Sequence, residues 1–389
     1  WGDFLVVCEV ALALLMMVGA GLLVRSFYQI RNVDAGFDPR GVLATAFELN
    51  SRYDSATKVH AFASEFEARL RALPSVTGVA LANNIPFNGT GYTSDYIAYG
   101  RPEGGYGTEI GHRTVSASYF KTMKVPLLRG RTFGPEDRAG ATPVAIINDV
   151  VAQSYFKGDN PIGQRIAFDK VPTAKTNWYT IIGVVGSEHV NGLSVAPIAE
   201  AFAPETQSPT KYLVALVRTS GDPIAVAKSI GNVLHDLDPT LALTLVRTVD
   251  SMRDESMARV RFLTTLLLAF ALIGVTLSVV GVYGVLAQLS RNRTREMGIR
   301  IALGAQASTV RWLVVRQGLQ LTMVGLVLGG TIALFATRMM SSLLFSVTPR
   351  DPATLFSVSL FLAGTSVLAA WLPARKASRV DPMAALRAD

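Results

Sequence analysis

Apolar positions along this chain fall into two regimes. Four runs are almost free of charge. Phe4 to Val24 carries only Glu9, and Phe262 to Leu289 carries none. Gly318 to Thr337 has Gln320 and threonines as its polar groups, and Leu355 to Leu372 has serines and threonines. A helix rises about 1.5 Å per residue, so roughly 20 residues cross a hydrocarbon core about 30 Å thick. The runs hold 21, 28, 20 and 18 residues and predict four spanning helices. The first is longer than the apolar part of a signal peptide, and no A-x-A cleavage pattern follows it.

Between the first and second runs the pattern changes to short periods. Val42–Leu49 alternates as a half-buried strand does. Val59, Phe62, Ala63, Phe66, Leu70 and Leu73 share one helical face, with Asp54 as the expected cap and Pro74 as the stop. Strands are predicted over Val76–Asn83, Val144–Asn148, Trp178–Val185, Tyr212–Arg218 and Leu241–Val246. Helices are predicted through Val151 and Tyr155, and again after Asp222-Pro223 with Ala227, Ile230, Leu234 and Leu237 on one face. The glycine- and asparagine-rich stretch from Asn84 to Gly111 reads as a long exposed loop. Alternating strands and helices imply an α+β or α/β domain in two lobes. From Thr248 onward no proline interrupts a helical recurrence of Val249, Met252, Met257, Val260 and Leu263. This predicts an unbroken stalk helix running into the second span, more than 40 residues and about 60 Å long. A short amphipathic helix followed by a loop is the alternative. The predicted fold class is an α-helical membrane protein with four transmembrane helices and a large α+β extracytoplasmic domain inserted between helices 1 and 2.

Charge then orients the spans. Of 389 residues, 37 are basic and 29 acidic, a net charge of +8, with a mean hydropathy of +0.33. Residues 32–290 hold 23 of each sign, so the excess lies elsewhere. Arg291 to Arg316 holds six arginines against Glu296, and Arg375, Lys376, Arg379 and Arg387 oppose Asp381 and Asp389. Four spans put both segments on one side, and short arginine-rich loops stay cytoplasmic. The expected topology is multi-pass, with both chain ends on the cytoplasmic side and the middle region outside. Arg25 and Arg31 run against this rule. The basic balance reflects topology and membrane lipid, and no nucleic-acid partner is expected.

Candidate chemistry is sparse. The one cysteine, Cys8, excludes an internal disulfide framework. The sequence has no H-E-x-x-H, no C-x-x-C, no G-x-S-x-G and no G-x-x-x-x-G-K-[ST]. Ser187-Glu188-His189 has the residue types of a triad, but neighbours on a strand point to opposite faces, so a polar strand end is expected. Glu9 should face other helices, and Gly325-x-x-x-Gly329 permits close helix approach. No catalytic, cofactor-binding or metal residues are assigned, and an enzyme is not expected.

The informative segment is Arg295 to Ala305, REMGIRIALGA. Its i,i+4 pairs Met297/Ile301 and Ile299/Leu303 suit a short helix at the membrane surface. Such a helix could be held by anionic lipid or could dock a cytoplasmic partner. Arg295-Glu296-Met297-Gly298-Ile299-Arg300 with Ala302-Leu303-Gly304-Ala305 resembles the cytoplasmic loop of FtsX/MacB-type ABC transporter permeases. Pro373-Ala374-Arg375-Lys376-Ala377, Arg379-Val380-Asp381-Pro382 and Ala385-Leu386-Arg387 resemble their tail. Leu343-Leu344-Phe345 with Pro349-Arg350-Asp351-Pro352 is similar to the duplicated permeases of acidobacteria. Leu128-Arg129-Gly130-Arg131-Thr132-Phe133 with Asp137, and Asn160-Pro161-Ile162-Gly163-Gln164-Arg165-Ile166, resemble elements of the MacB-type periplasmic core domain.

The resemblance implies a permease subunit divided into a first span (1–28), a periplasmic core (29–247), a stalk with the second span (248–290), a coupling loop (291–317), the third and fourth spans (318–372) and a tail (373–389). It implies a coupling helix of Arg295, Glu296, Met297, Gly298, Ile299, Arg300, Ile301, Leu303 and Gly304 against an ABC ATPase subunit, which would bind ATP and magnesium in place of this chain. Further expected partners are a second permease half or a second copy, and proteins of the periplasm. The short lead of Trp1-Gly2-Asp3 suggests the second half of a duplicated permease or a truncated copy. A membrane-anchored sensor or scaffold with an outer ligand-binding domain is the rival, and an outer enzyme or adhesive module a further one.

Overall fold

The computed structural model describes residues 2–100, 109–169, 172–292, 296, 306–339, 344–345, 347–348 and 351–377. They form two compact units, Trp1–Asn32 with Arg259–Asp389, and Val33–Ala258. In chain order the first half contains α1 (Gly2–Arg31), β1 (Val42–Glu48), α2 (Ala56–Arg71), β2 (Val76–Ala82), β3 (Thr93–Asp95), β4 (Ile97–Ala98), β5 (Glu109–Val115), α3 (Tyr119–Met123), β6 (Leu127–Gly130), β7 (Val144–Asn148), α4 (Asp149–Phe156) and β8 (Arg165–Ala167). There follow β9 (Tyr179–Val185), β10 (Glu200–Pro204), β11 (Tyr212–Thr219), a 3-10 turn at Pro223–Val226, α5 (Ala227–Leu237), β12 (Leu245–Thr248), α6 (Val249–Ser256), α7 (Ala258–Asn292), α8 (Ala307–Met339) and α9 (Pro352–Ala377).

Among the described residues α1, α7, α8 and α9 are long and apolar enough to cross a membrane. Each extends the apolar run predicted for it by polar turns at its ends. Phe262, Leu272, Phe335, Met339 and Leu368 are exposed on them, a surface that water penalises and lipid satisfies. Val6, Val10, Leu14, Val18 and Leu22 of α1 are buried against α7, α8 and α9.

The other unit is built on one mixed sheet with the order β12-β1-β11-β2-β5-β10-β7-β9-β8-β4, to which β3 adds on β5 and β6 on β9. Two cores lie on it. The first joins Leu43 and Phe47 of β1 to Val59, Phe62, Phe66 and Leu70 of α2 and to Ile230 and Leu234 of α5, with Phe47 and Phe66 edge to face at 5.0 Å. The second gathers Ile147, Val151, Phe156, Ile166, Ile181 and Val184 from β7, α4, β8 and β9. Strands β5/β10 and β7/β9 pair in parallel and most others antiparallel, so the expectation of a mixed helix-and-strand domain holds, in one compact unit rather than two lobes.

Four sequence expectations are corrected. The cap of α2 is Ser55, whose hydroxyl accepts from the Lys58 amide, and not Asp54, which pairs instead with Lys58 on the surface. The last strand spans Leu245–Thr248, because only residues 245–248 stand in register with Leu43–Ala46. The stretch 84–111 contains β3, β4 and the start of β5, and buries Tyr96 and Ile97. The stalk helix is interrupted. Continuing it would need the Met257 amide on the Arg253 carbonyl. The Met257 amide bonds Asp254 instead, closing α6 with a tightened turn.

Candidate functional site

Of the predicted coupling helix, Glu296 is helical and exposed. Arg295, Met297, Gly298, Ile299, Arg300, Ile301, Leu303 and Gly304 lie outside the described residues. The segment connects α7 to α8 in sequence.

Within the membrane unit the polar groups are placed. A Cβ on Gly281 of α7 would overlap the Glu9 carboxylate of α1, so this glycine makes room for an ionisable side chain facing a neighbouring helix, as the sequence suggested. Its Oε2 has no hydrogen-bond partner among the described residues. Arg25, which counted against the orientation rule, donates to Asp351 at 2.5 Å. Asp351 in turn accepts from the Thr354 amide and hydroxyl at the start of α9. The Ser26 hydroxyl accepts from the Phe345 amide at 2.8 Å.

The sheet unit holds a buried ionic cluster that the sequence did not disclose. Arg113 lies at the middle of β5, fully buried. Its guanidinium donates to Glu188 beyond the end of β9, to Glu200 of β10 at 3.1 Å and to the Tyr119 hydroxyl at 2.8 Å. The Tyr119 hydroxyl donates to Glu188 at 2.9 Å. The guanidinium carbon also lies 4.8 Å from the centre of the Phe202 ring. Gly111 is required here, since a Cβ would come within 2.8 Å of the Glu200 side chain. Ser187-Glu188-His189 does not converge. Ser187 donates to Asp149, Glu188 turns inward, and His189 Nδ1 meets the Val195 carbonyl. Among the described residues no three His, Cys, Asp or Glu side chains could together hold a metal ion.

Burial pushes the Glu200 carboxyl up to about 7, with Arg113 opposing and the Glu188 charge adding to the rise. A folded-state proton affinity above the ordinary value of 4.5 contributes stability fully present below about 4.5, and that contribution is lost as pH rises through 7. Stability of the full chain in neutral detergent is therefore expected to fall by up to about 3 kcal/mol between pH 4.5 and pH 7.5. Glu200→Gln should flatten that fall, because Glu188 alone suffices to balance Arg113. Unfolding curves across this window, followed by circular dichroism, check it; an unchanged slope in the variant would contradict it.

A groove of about 730 Å³ opens beside α3, lined by Arg71, Lys121, Lys124 and Arg218. Most of its charge is already satisfied. Arg71 pairs with Glu67, Lys124 with Asp38, and Arg218 donates to the Asp38, Arg40 and Thr122 carbonyls. The two sequence elements noted in this unit pack together across β9. Gly130 has a φ of +75° and abuts the Ile182 carbonyl and Ile162, and Arg131 grips Asp137 through two bonds of 2.6 and 2.8 Å.

Residues 5–233 match the MacB-like periplasmic core domain, and residues 268–382 match the FtsX-like permease C-terminal region. The chain belongs to the FtsX/MacB-type permease family. It is 29% identical over 296 residues to the probable syringafactin export ATP-binding/permease protein SyfD of Pseudomonas syringae, covering 71% of this chain and 42% of that one. Identity is also 29% over 285 residues with the macrolide export ATP-binding/permease protein MacB of Rhodospirillum rubrum, covering 70% and 42%. With the pyoverdine export ATP-binding/permease protein PvdT of Pseudomonas fluorescens it is 25% over 338 residues, covering 83% and 48%. The chain thus spans less than half the length of these relatives. Among solved structures, the periplasmic region of MacB from Actinobacillus actinomycetemcomitans aligns with a TM-score of 0.37 at 12% identity, covering 58% of this chain and 97% of that one. The extracellular domain of YknZ from Gram-positive bacteria aligns with a TM-score of 0.34 at 18% identity, covering 52% and 100%. For this FtsX/MacB-type permease, the helices and the sheet unit are the parts the family name describes.

Proposed function

We propose that this chain is the permease part of an ABC-type exporter, in which a partner ATPase drives motion of the sheet unit through the membrane helices. The observation that carries the reading is the order of parts: one apolar helix, a large sheet unit of the MacB-like periplasmic core family, then three apolar helices of the FtsX-like family. The relatives are named as ATP-binding/permease proteins, and these 389 residues contain no G-x-x-x-x-G-K-[ST]. In this proposal ATP and magnesium are bound by an ATPase that lies outside these 389 residues. The arginine excess of 291–316 and of the tail supports a cytoplasmic side for both, with the sheet unit outside, in a bacterial inner membrane. The working assembly pairs this chain with a second permease half or a second copy. Names referring to syringafactin, macrolide and pyoverdine support export of a secreted compound. The membrane helices bury few polar groups, which favours transmission of movement to the outer unit over an aqueous channel.

The test is co-elution of the full chain, in mild detergent, with an ABC ATPase from the same genome. ATP-dependent association is expected, with stimulated ATP hydrolysis, and Met297→Asp with Ile301→Asp should abolish both. Charge reversal at Arg295 and Arg300 that left association and stimulation intact would overturn the coupling role of this segment. Absence of any associating ATPase would favour a sensor or scaffold.

A further inference from the structure

The segment Gly186–Gly192 leaves the end of β9 and makes three kinds of contact. Its anchor is Glu188, fully buried, which accepts from the Arg113 guanidinium and from the Tyr119 hydroxyl at 2.9 and 3.1 Å. The Gly186 amide donates to the Pro126 carbonyl at 2.9 Å, fixing the same segment at its start. The second contact is with the chain shortly after α1. His189 donates its amide to the Ala35 carbonyl at 3.0 Å. Gly36 has a φ of +82°, and a Cβ there would overlap the Ser187 carbonyl. The third contact is with the chain just before α7. Gly192 has a φ of +102°, and a Cβ on it would lie 3.3 Å from Ser256 Cβ. Ser256 is the residue that closes α6.

One short segment thus bonds Ala35 where the chain enters this unit and passes close to Ser256 where the chain leaves it. It is fastened to the middle of the sheet by a buried ion pair. We propose that Gly186–Gly192 is the fastening of the sheet to both of these chain ends, and that Arg113, Tyr119 and Glu188 are positioning residues that hold it. A charge-assisted bond in a dry site suits this purpose. It is directional, and its loss leaves Arg113 with Glu200 as its charged partner and the Tyr119 hydroxyl without its acceptor, so seating and release of the loop are distinct states. The role in transmission rests on the exporter reading above; the fastening itself is a property of this unit.

Hydrogen–deuterium exchange on the full chain in neutral detergent tests it. Glu188→Gln preserves shape and removes the charge. Tyr119→Phe removes one donor and leaves the Arg113 pair. In Glu188→Gln, exchange over residues 34–38 and 253–257 should rise roughly tenfold or more together with that of 186–192, with β1 and β11 still protected. Tyr119→Phe should give a smaller rise at the same places. A rise confined to 186–192, or an equal rise over β1 and β11 in both variants, would overturn the proposal, the second outcome showing that the cluster only stabilises the unit. Stimulation of the partner ATPase, measured on the same variants, separates the two readings. Stimulation that survived release of both ends would overturn the transmission role while leaving the fastening in place.

Discussion

Replacing Arg113 by methionine is expected to destabilise the sheet unit by about 3–5 kcal/mol near neutral pH, the cost of breaking a buried ion pair by removing one partner. Methionine fills much of the same volume, so the loss would come from charge rather than from a cavity. Glu188 and Glu200 would then face each other with nothing positive between them, and the Tyr119 hydroxyl would remain as the donor to Glu188. Glu200, already pushed up to about 7, would be neutralised as the pH falls, so the loss should shrink markedly by pH 5. The triple variant Arg113→Met/Glu188→Leu/Glu200→Leu should recover most of the stability, since an apolar set of similar volume needs no compensation. Denaturant unfolding of the full chain in neutral detergent measures all three. A loss below about 1 kcal/mol for Arg113→Met, the scale of an exposed pair, would mean that the cluster is hydrated.

This cluster also marks where sequence reasoning stopped. The spans were legible because lipid demands about 20 uncharged residues in a row, a requirement written in composition alone. Helices α2 and α5 were legible because their apolar faces repeat at 3.6 residues between a cap and a proline. Strand β5, EIGHRTV, was not, because its inward arginine spoils the alternation that marks a strand. The residues that justify burying it lie 75 and 87 positions away. Strand β6 presents four exposed residues and has no apolar face to announce it. The helix break at Met257 was not legible, because no proline or glycine marks it and the apolar recurrence runs on across it. Arg25 read as an exception to the charge rule until Asp351, 326 residues away, supplied its partner. The coupling segment was legible as a sequence motif, and its role is carried by that motif and the family.

Gly329→Val should have the largest effect in the membrane unit, a destabilisation of about 3 kcal/mol or more, at the upper end of overpacking costs. A Cβ at Gly329 would stand 2.7 Å from the Ala11 carbonyl oxygen and 2.8 Å from Ala11 Cα. These are backbone atoms of α1, so no side-chain rotation can relieve the clash. At Gly325 a Cβ would stand 2.7 Å from Val10 Cβ, 2.8 Å from Val10 Cγ1 and 3.1 Å from the Val7 carbonyl oxygen, so α1 is close here too, and Gly325→Ala, which adds a single methyl, should cost less than Gly329→Val. Gly364 of α9 has nothing within 4 Å of its Cβ position, and Gly364→Val is the control expected to be nearly neutral. Thermal unfolding in detergent, read by size-exclusion profile, checks the ranking; equal stability of the Gly329 and Gly364 variants would refute the close approach of α1 and α8. The seam has a mechanical consequence as well. Helix α8 begins at Ala307, directly after the predicted coupling segment, and α1 leads into the sheet unit. Small residues let two helices approach backbone to backbone in lipid, where no hydrophobic effect holds them together. In the exporter proposed above, a push on α8 would reach α1 through rigid main chain at Gly329 rather than through side chains free to change rotamer. The milder Gly329→Ala, which forces a separation of the backbones, should then weaken stimulation of the partner ATPase by more than its loss of stability accounts for.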